Sequence, residues 1–252
     1  MNSVCRLAVL TPAFLISAAF EPREVMQLVQ SRAKSNSQRY QGTLQVISGK
    51  NRISEKSWTY ERIGSAGLSK VVLRFTAPAE VKGVALLIVN HPDRASDQWM
   101  WTPSIQRDRR IAFQDRSTRF FGTDFSFEDL EERDIEQFDY KFLAEENIGG
   151  APCWKLESRP RRTRNSQYTH SYLWVHKERY VLVAIEAYFG DSLIRRIRYG
   201  DYRQVQDIWT PLMVEVEDAA RASRTILRTE KLEYNVPMKE ENFTLQSLRR
   251  EL

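Results

Sequence analysis

The feature that most constrains this chain is an alternation of apolar and polar side chains that begins near residue 40 and continues almost to the C-terminus. Val71, Leu73 and Phe75 alternate with polar neighbours early in the chain, and Tyr140 and Phe142 do so later. A period of two residues predicts half-buried β-strands. The strands follow one another at hairpin-like spacing and do not alternate with helices, which predicts antiparallel pairing and argues against a βαβ fold.

Helical patterns are too few to cover such a sheet. An apolar stripe predicts one N-terminal helix over Glu21–Ser37, Ser126–Glu132 carries an approximate capping box, and Glu240–Leu252 is compatible with a helical turn. A long sheet with one apolar face needs a cover. The sequence therefore predicts a mainly β protein with a single antiparallel sheet that curls on itself. The helices would lie inside it or across its mouth, and a concave apolar cavity would remain.

Composition agrees with one packed domain. The chain has 252 residues, of which 42% are hydrophobic and 28% are charged, so we expect a core rather than disorder. No linker, repeat or low-complexity tract divides it. The net charge of +5 is modest, and no nucleic-acid-binding module is visible, so we expect no nucleic acid partner.

The N-terminus predicts a secretory signal peptide over residues 1–19. Arg6 is followed by an apolar run, and Ser17–Ala19 supplies small residues before the expected cleavage site. An uncleaved anchor is the alternative. Cleavage leaves a single domain over residues 20–252, in which Cys153 has no disulfide partner and is interpreted as a buried, inert thiol.

No pattern indicates catalysis. Asp124, Glu128 and Asp129 cluster, but helix capping explains them without acid–base chemistry. His170 and His176 lie six residues apart, too far to share a metal on a straight strand. The sequence contains no Gly-x-Ser-x-Gly elbow. We expect neither enzymatic activity nor a metal or cofactor, and a lipid hydrolase stays an open alternative.

Five irregular motifs in order resemble a known family. They are RFTAPAEVKGVALLIV, DQWMWTPSIQRDRRI, FFGTDFSFEDL, YLWV and DIWTP, and they resemble the outer-membrane lipoprotein-sorting (LolA/LolB-like) proteins, specifically the LolA-like branch. The resemblance implies an incomplete β-barrel whose open side is covered by helices. It also implies a hydrophobic interior that carries acyl chains of a lipid or lipoprotein through the periplasm, and no catalytic residue. The branch often has a Met-rich first strand, which this chain lacks, so the cargo stays open.

The resemblance and strand parity together suggest site residues, although parity alone leaves open which face is concave. The cavity candidates are Trp58, Tyr60, Leu73, Phe75, Trp99, Trp101, Tyr140, Tyr172 and Trp174. The lid candidates are Phe120, Phe121, Phe125, Phe127 and Leu130.

Clustered arginines suggest a docking surface made of Arg107, Arg109, Arg110, Arg161 and Arg162. They form either a solvated face or a contact surface for anionic lipid headgroups or an acidic partner. The implied partners of a periplasmic carrier are an inner-membrane transporter and an outer-membrane acceptor, with peripheral membrane contact. The alternative function is a non-transport envelope scaffold or transporter accessory subunit with a filled core.

Overall fold

The computed structural model describes residues 20–250, which form one sheet of thirteen antiparallel strands with two short α-helices. The helices are α1 (Pro22–Arg32) and α2 (Leu245–Leu248). The strands are β1 (Ser37–Ile47), β2 (Ile53–Ser65), β3 (Leu68–Ala77), β4 (Ala85–Val89), β5 (Asp97–Thr102), β6 (Arg107–Arg110), β7 (Phe138–Ile148), β8 (Ala151–Pro160), β9 (His170–His176), β10 (Leu182–Phe189), β11 (Ser192–Val205), β12 (Ile208–Asp218) and β13 (Ser223–Tyr234). The predicted signal peptide lies outside the described residues.

The strand order is β6-β5-β4-β3-β2-β1-β13-β12-β11-β10-β9-β8-β7. Strand β1 pairs with β13, so the strands nearest the two ends of the described chain lie in the middle of the sheet. The free edges β6 and β7 are consecutive in sequence and do not pair with each other. The sheet is therefore not closed, which confirms the predicted incomplete β-barrel.

Residues 111–137 connect the two free edges, and we call the part from Phe120 to Leu130 the aromatic plug. It consists of turns, and the helix predicted over Ser126–Glu132 is wrong. The reciprocal capping contacts do form: the backbone N–H of Ser126 donates to Asp129 Oδ2 (2.8 Å), and that of Asp129 donates to Ser126 Oγ (3.2 Å). The carboxylates of Asp129 and Glu131 are bound by Arg195 of β11 and Gln98 of β5. These tertiary contacts override the local helical signal.

The two halves of the concave face have different covers. Against β2–β4 the plug supplies buried phenyl rings, and Phe120 stacks on Phe75 with ring centroids 5.2 Å apart. Against the other half lies α1, whose Val25 and Met26 pack on Leu173 and its neighbours. Helix α1 ends five residues before the predicted boundary because Ser37 already starts β1, where its hydroxyl donates to the carbonyl of Val236 (2.6 Å).

The convex face has a cover of its own over β4. Ala85 and Leu87 point to this face and pack beneath Phe243 and Leu248 of the C-terminal segment. Both faces of β4 are thus buried, which explains its continuous apolar sequence. None of the helices within residues 20–250 has the length and hydropathy that a membrane span requires.

Candidate functional site

The concave face holds a cavity of about 290 Å³ between the plug and the β1–β13 seam. Its walls are largely aromatic and aliphatic, with Tyr40 and Tyr60 stacked at 4.6 Å between ring centroids. The lining residues include Tyr40, Trp58, Tyr60, Leu73, Val214 and Thr229. A concave, mostly apolar cavity near 300 Å³ is at the lower end of small-ligand sites.

Trp58 owes its position on this wall to a glycine. Gly42 faces Trp58 across the β1–β2 pair, and a Cβ at Gly42 would lie 2.3 Å from the indole Nε1. The indole therefore lies flat over β1. Its Nε1 is buried in the cavity wall, and the neighbouring Tyr40 hydroxyl is the group within its influence.

Tyrosine hydroxyls add polarity to the cavity without adding charge. Burial raises the pKa of Tyr60 and the pKa of Tyr199 to about 12. Burial also raises the pKa of Tyr40 well above its usual range. These hydroxyls stay protonated at neutral pH, so the cavity suits a neutral, mainly apolar group.

Two further pockets border the same region. One of about 180 Å³ lies beneath α1 and is lined by apolar and aromatic side chains that include Val29, Tyr180 and Trp209. It shares Tyr199 and Pro211 with the concave cavity. Another of about 120 Å³ also reaches Tyr199, and its lining combines apolar side chains of β10 and β11 with charged side chains that include Glu128, Asp129 and Arg164. Tyr199 is thus the common wall of three voids.

The structure places five of the nine predicted cavity residues on the concave face. Trp58, Tyr60 and Leu73 line the concave cavity. Phe75 lies in the same apolar cluster but packs against the plug, and Tyr140 lies in the cluster beneath α1. Whether any of them contacts a ligand stays a prediction.

The other four predicted cavity residues are wrong, because they point to the convex face. Trp99 and Trp101 pair across the β4–β5 ladder with Leu87 and Ala85, beneath the C-terminal segment. Tyr172 and Trp174 lie on the outer face of β9 and pack with Cys153 of β8, and Trp174 Nε1 donates to Glu146 Oε2 (2.7 Å). A shift of one residue in strand parity exchanges the two faces, and an aromatic residue packs well on either when both are covered.

The predicted lid residues form the plug, which fills the sheet rather than covering its mouth. Phe120, Phe125 and Phe127 are buried in the concave core, and Phe121 and Leu130 pack partly buried against it. Of the five, Phe125 and Leu130 also border the concave cavity. Opening of this segment stays a prediction.

A buried carboxylate fastens the plug to β13. Asp124 is fully buried and accepts hydrogen bonds from Ser223 Oγ (2.5 Å), Thr225 Oγ1 (2.8 Å) and Arg119 Nη2 (2.7 Å). Its own backbone N–H donates to Thr225 Oγ1 (2.8 Å). The interpretation of Asp124 as a helix cap is therefore wrong, since two of its three side-chain partners, Ser223 and Thr225, lie about a hundred residues away in β13.

The acidic residues that follow tie the plug to both halves of the sheet. Asp129 accepts from Tyr168 Oη (2.7 Å) and from Arg195 Nε (3.2 Å). Glu131 accepts from Gln98 Nε2 (2.7 Å) on the β5 side and pairs with Arg164 on the β8 side. We call these bonds, with those of Asp124, the carboxylate clamp. Sequence reasoning missed it, and the only clamp partner within the basic run RPRRTR is Arg164.

The predicted docking arginines lie near the two free edges, and several are already paired. Arg110 pairs with Asp97, Arg109 with Asp115 (3.5 Å) and Arg161 with Asp139 (2.9 Å). Arg107 and Arg162 are exposed and make no ion pair within residues 20–250. The docking surface therefore stays a prediction, with less free charge than the sequence suggests.

Within the part of the chain that the structure describes, no group of three His, Cys, Asp or Glu side chains could hold a metal. Cys153 is buried and unpaired, as expected. Burial raises the pKa of its thiol, which disfavours the reactive thiolate.

Comparison with known proteins adds a family and a fold. A family model described as "Uncharacterized protein" matches residues 67–250, and no curated protein matches the sequence. The solved structure of an outer membrane lipoprotein-sorting protein domain from Vibrio parahaemolyticus is 25% identical, with a TM-score of 0.86 over 91% of this chain and 98% of that one.

Two other solved structures share the fold. A DUF1329 family protein from Desulfovibrio piger is 23% identical, with a TM-score of 0.86 over 90% of this chain and 97% of that chain. A LolA superfamily protein from Nitrosomonas europaea is 18% identical, with a TM-score of 0.69 over 88% of this chain and 98% of that chain. The three likenesses each extend over nearly the whole of the compared chain.

Proposed function

The chain belongs to the family whose model is described as "Uncharacterized protein" and is similar over nearly its whole length to an outer membrane lipoprotein-sorting protein domain. On this premise we propose that it is a LolA-like periplasmic carrier that binds acyl chains of a lipid or lipoprotein in its concave cavity. The carrier performs no chemistry on its cargo. It delivers the cargo towards the outer membrane, or to or from a lipid exporter. Its partners are an inner-membrane transporter and an outer-membrane acceptor, with peripheral contact at the membrane surface.

The observation that carries this proposal is the set of voids left on the concave face. The cavity of about 290 Å³ is lined by Trp58, Tyr60 and Leu73, and the adjacent pocket beneath α1 is about 180 Å³. Each methylene transferred there from water contributes about 0.8 kcal/mol. Affinity of that origin is not specific for one chain, which suits a carrier of acyl groups.

A matched pair of substitutions tests the site. Thr229→Trp would fill the concave cavity, whereas Thr59→Trp places the same side chain in the polar groove on the convex face. We expect Thr229→Trp to abolish uptake of a fluorescent acyl probe and Thr59→Trp to retain it. Equal uptake by the two variants, both folded by circular dichroism, would contradict the assignment of the cavity.

The natural cargo is tested on protein purified from a Gram-negative periplasm. Mass spectrometry of the extracted protein should detect co-purifying lipid or lipoprotein acyl chains, and the Thr229→Trp variant should lose them. Protein that carries no extractable lipid and takes up no acyl probe would refute the carrier function.

One observation favours the second candidate, an envelope scaffold or transporter accessory subunit. The rings of Phe120, Phe125 and Phe127 already occupy much of the concave face, as in a filled core. A scaffold predicts that neither Thr229→Trp nor Thr59→Trp changes function, and that partner capture survives in both. The acyl-probe assay therefore separates the two candidates.

A further inference from the structure

The pocket beneath α1 combines apolar walls with two arginines that are stacked on aromatic rings. We propose that this pocket takes the acyl chain of an amphiphile whose anionic headgroup is bound by Arg32 and Arg179. The proposal rests on the proposed carrier function, because it names the class of amphiphile that the carrier prefers.

Both guanidinium groups are held at the pocket by rings that line it. Arg32, the last residue of α1, lies over Tyr180 with its Cζ 4.3 Å from the ring centroid. Arg179 lies over Trp209 with its Cζ 4.4 Å from that centroid. Tyr180 and Trp209 both line the pocket, so the two cations flank the same apolar void.

The two arginines keep donors free for an anion. A guanidinium stacked on a ring uses its face for the cation–π contact and leaves its in-plane N–H groups available. Arg32 uses one of them, which donates to the backbone carbonyl of Glu178 (3.0 Å). Within residues 20–250, neither Arg32 nor Arg179 forms an ion pair with a carboxylate.

Neighbouring charges are mostly occupied elsewhere. Lys177 pairs with Glu145 (2.5 Å), and Arg203 lies 3.8 Å from Asp201. Arg195, deeper on the same half of the sheet, is committed to Asp129 and Asp218. Arg32 and Arg179 are thus cations without a stated task, next to a pocket that is almost wholly apolar. Charge complementarity selects an anionic headgroup and disfavours a zwitterionic one, whose ammonium would meet two guanidiniums.

Two lysophospholipids of equal chain length test the proposal. Lysophosphatidylglycerol and lysophosphatidylcholine, each below its micellar concentration, are titrated into the full chain at low salt, with inorganic phosphate alone as a third arm. We expect the wild type to bind lysophosphatidylglycerol at least tenfold more tightly than lysophosphatidylcholine. The double variant Arg32→Gln/Arg179→Gln should reduce this preference to less than twofold and leave the affinity for lysophosphatidylcholine unchanged.

Arg52→Gln/Arg228→Gln is the matched control, since it removes two exposed positive charges, one from the turn between β1 and β2 and one from β13, and should keep the preference. The proposal is overturned if the wild type binds both lipids equally, or if the double variant keeps the preference. It is also overturned if inorganic phosphate alone binds as tightly as lysophosphatidylglycerol, because the acyl chain would then add nothing to the affinity. Binding of neither lipid would refute the carrier function itself, an outcome distinct from equal binding of both.

Discussion

The two halves of the sheet cover their concave faces in different ways. Against β2–β4 the cover is the aromatic plug, whose rings interdigitate with Phe75 and whose carboxylates are bound to the sheet on both sides. Against β8–β11 the cover is α1, a helix of eleven residues that buries Val25 and Met26. One void lies between the plug and the β1–β13 seam and another lies beneath α1, so the two covers together leave room for a ligand.

The largest expected effect is in the plug. Phe120→Ala removes a fully buried ring that stacks on Phe75, and we expect it to lower the free energy of unfolding by about 3–5 kcal/mol. Urea denaturation measures the change. Phe113→Ala, which truncates a ring that is 50% exposed, is the control and should have little effect. A similar loss in both variants would mean that the plug is not a packed part of the core.

The carboxylate clamp should rank next. Asp124→Asn keeps the shape but replaces the charged acceptor of three donors with a neutral amide, whose NH2 group leaves at least one donor without an acceptor. We expect a loss of about 2–3 kcal/mol. Asp139→Asn is the control, because its pair with Arg161 is exposed and contributes at most about 1 kcal/mol. Urea midpoints of the two variants measure the difference. An Asp124→Asn variant as stable as the wild type would show that the clamp contributes no net stability.

A smaller and more local effect is expected in α1. Met26→Ala removes a buried contact of a short helix, and we expect a loss of about 2 kcal/mol. Native-state hydrogen exchange should show faster exchange of α1 amides with plug amides unchanged, since the covers are separate. Leu28→Ala, at a position 40% exposed, is the control. Faster exchange in both covers would contradict their independence.

The smallest effect concerns pH. Burial raises the pKa of Glu128, against the opposing charge of Arg164. A raised pKa in the folded state favours the protonated form, so this contribution to stability is complete below the unfolded pKa. It is lost as pH rises through the folded pKa. The stability of Glu128→Gln relative to the wild type should therefore increase as pH rises from about 4 towards neutrality. The opposite trend in urea midpoints would contradict the assigned direction.

The alternation of side chains was enough to predict the strands, the antiparallel pairing and the curled sheet. It was not enough to choose the concave face. The run Val84–Val89 is apolar at every position because β4 is covered on both sides, by the plug and by Phe243 with Leu248. Trp99 and Trp101 pair with residues of β4, so the sequence did not indicate which face they occupy either. The continuous apolar run therefore indicated that both faces of this strand are buried. It did not indicate which face lines the cavity.

The clamp was beyond local reasoning for a different reason. Ser126 and Asp129 do form the capping contacts that their spacing predicts. The partners that decide the conformation, Arg195 and Thr225, lie in β11 and β13, and no local pattern connects them with the plug. Contacts across a hundred residues depend on strand order, and a pattern of alternation does not contain it.

The strand order also allows the chain to be divided into two fragments that each keep neighbouring strands together. The covalent link between the free edges is the single stretch of residues 111–137, whereas β1 and β13 are joined by a ladder that runs from Gln38–Tyr234 to Ile47–Arg224. Fragments divided between β6 and β7 would each keep a contiguous set of strands and meet along that ladder. Near the seam, Asn36 and Asn235 already touch, with the backbone N–H of Asn36 donating to Asn235 Oδ1 (2.9 Å). The fold therefore provides a split-protein architecture, in which two separately expressed halves would reassemble through the seam together with the packing of α1 on β8–β11 and of the C-terminal segment on β4.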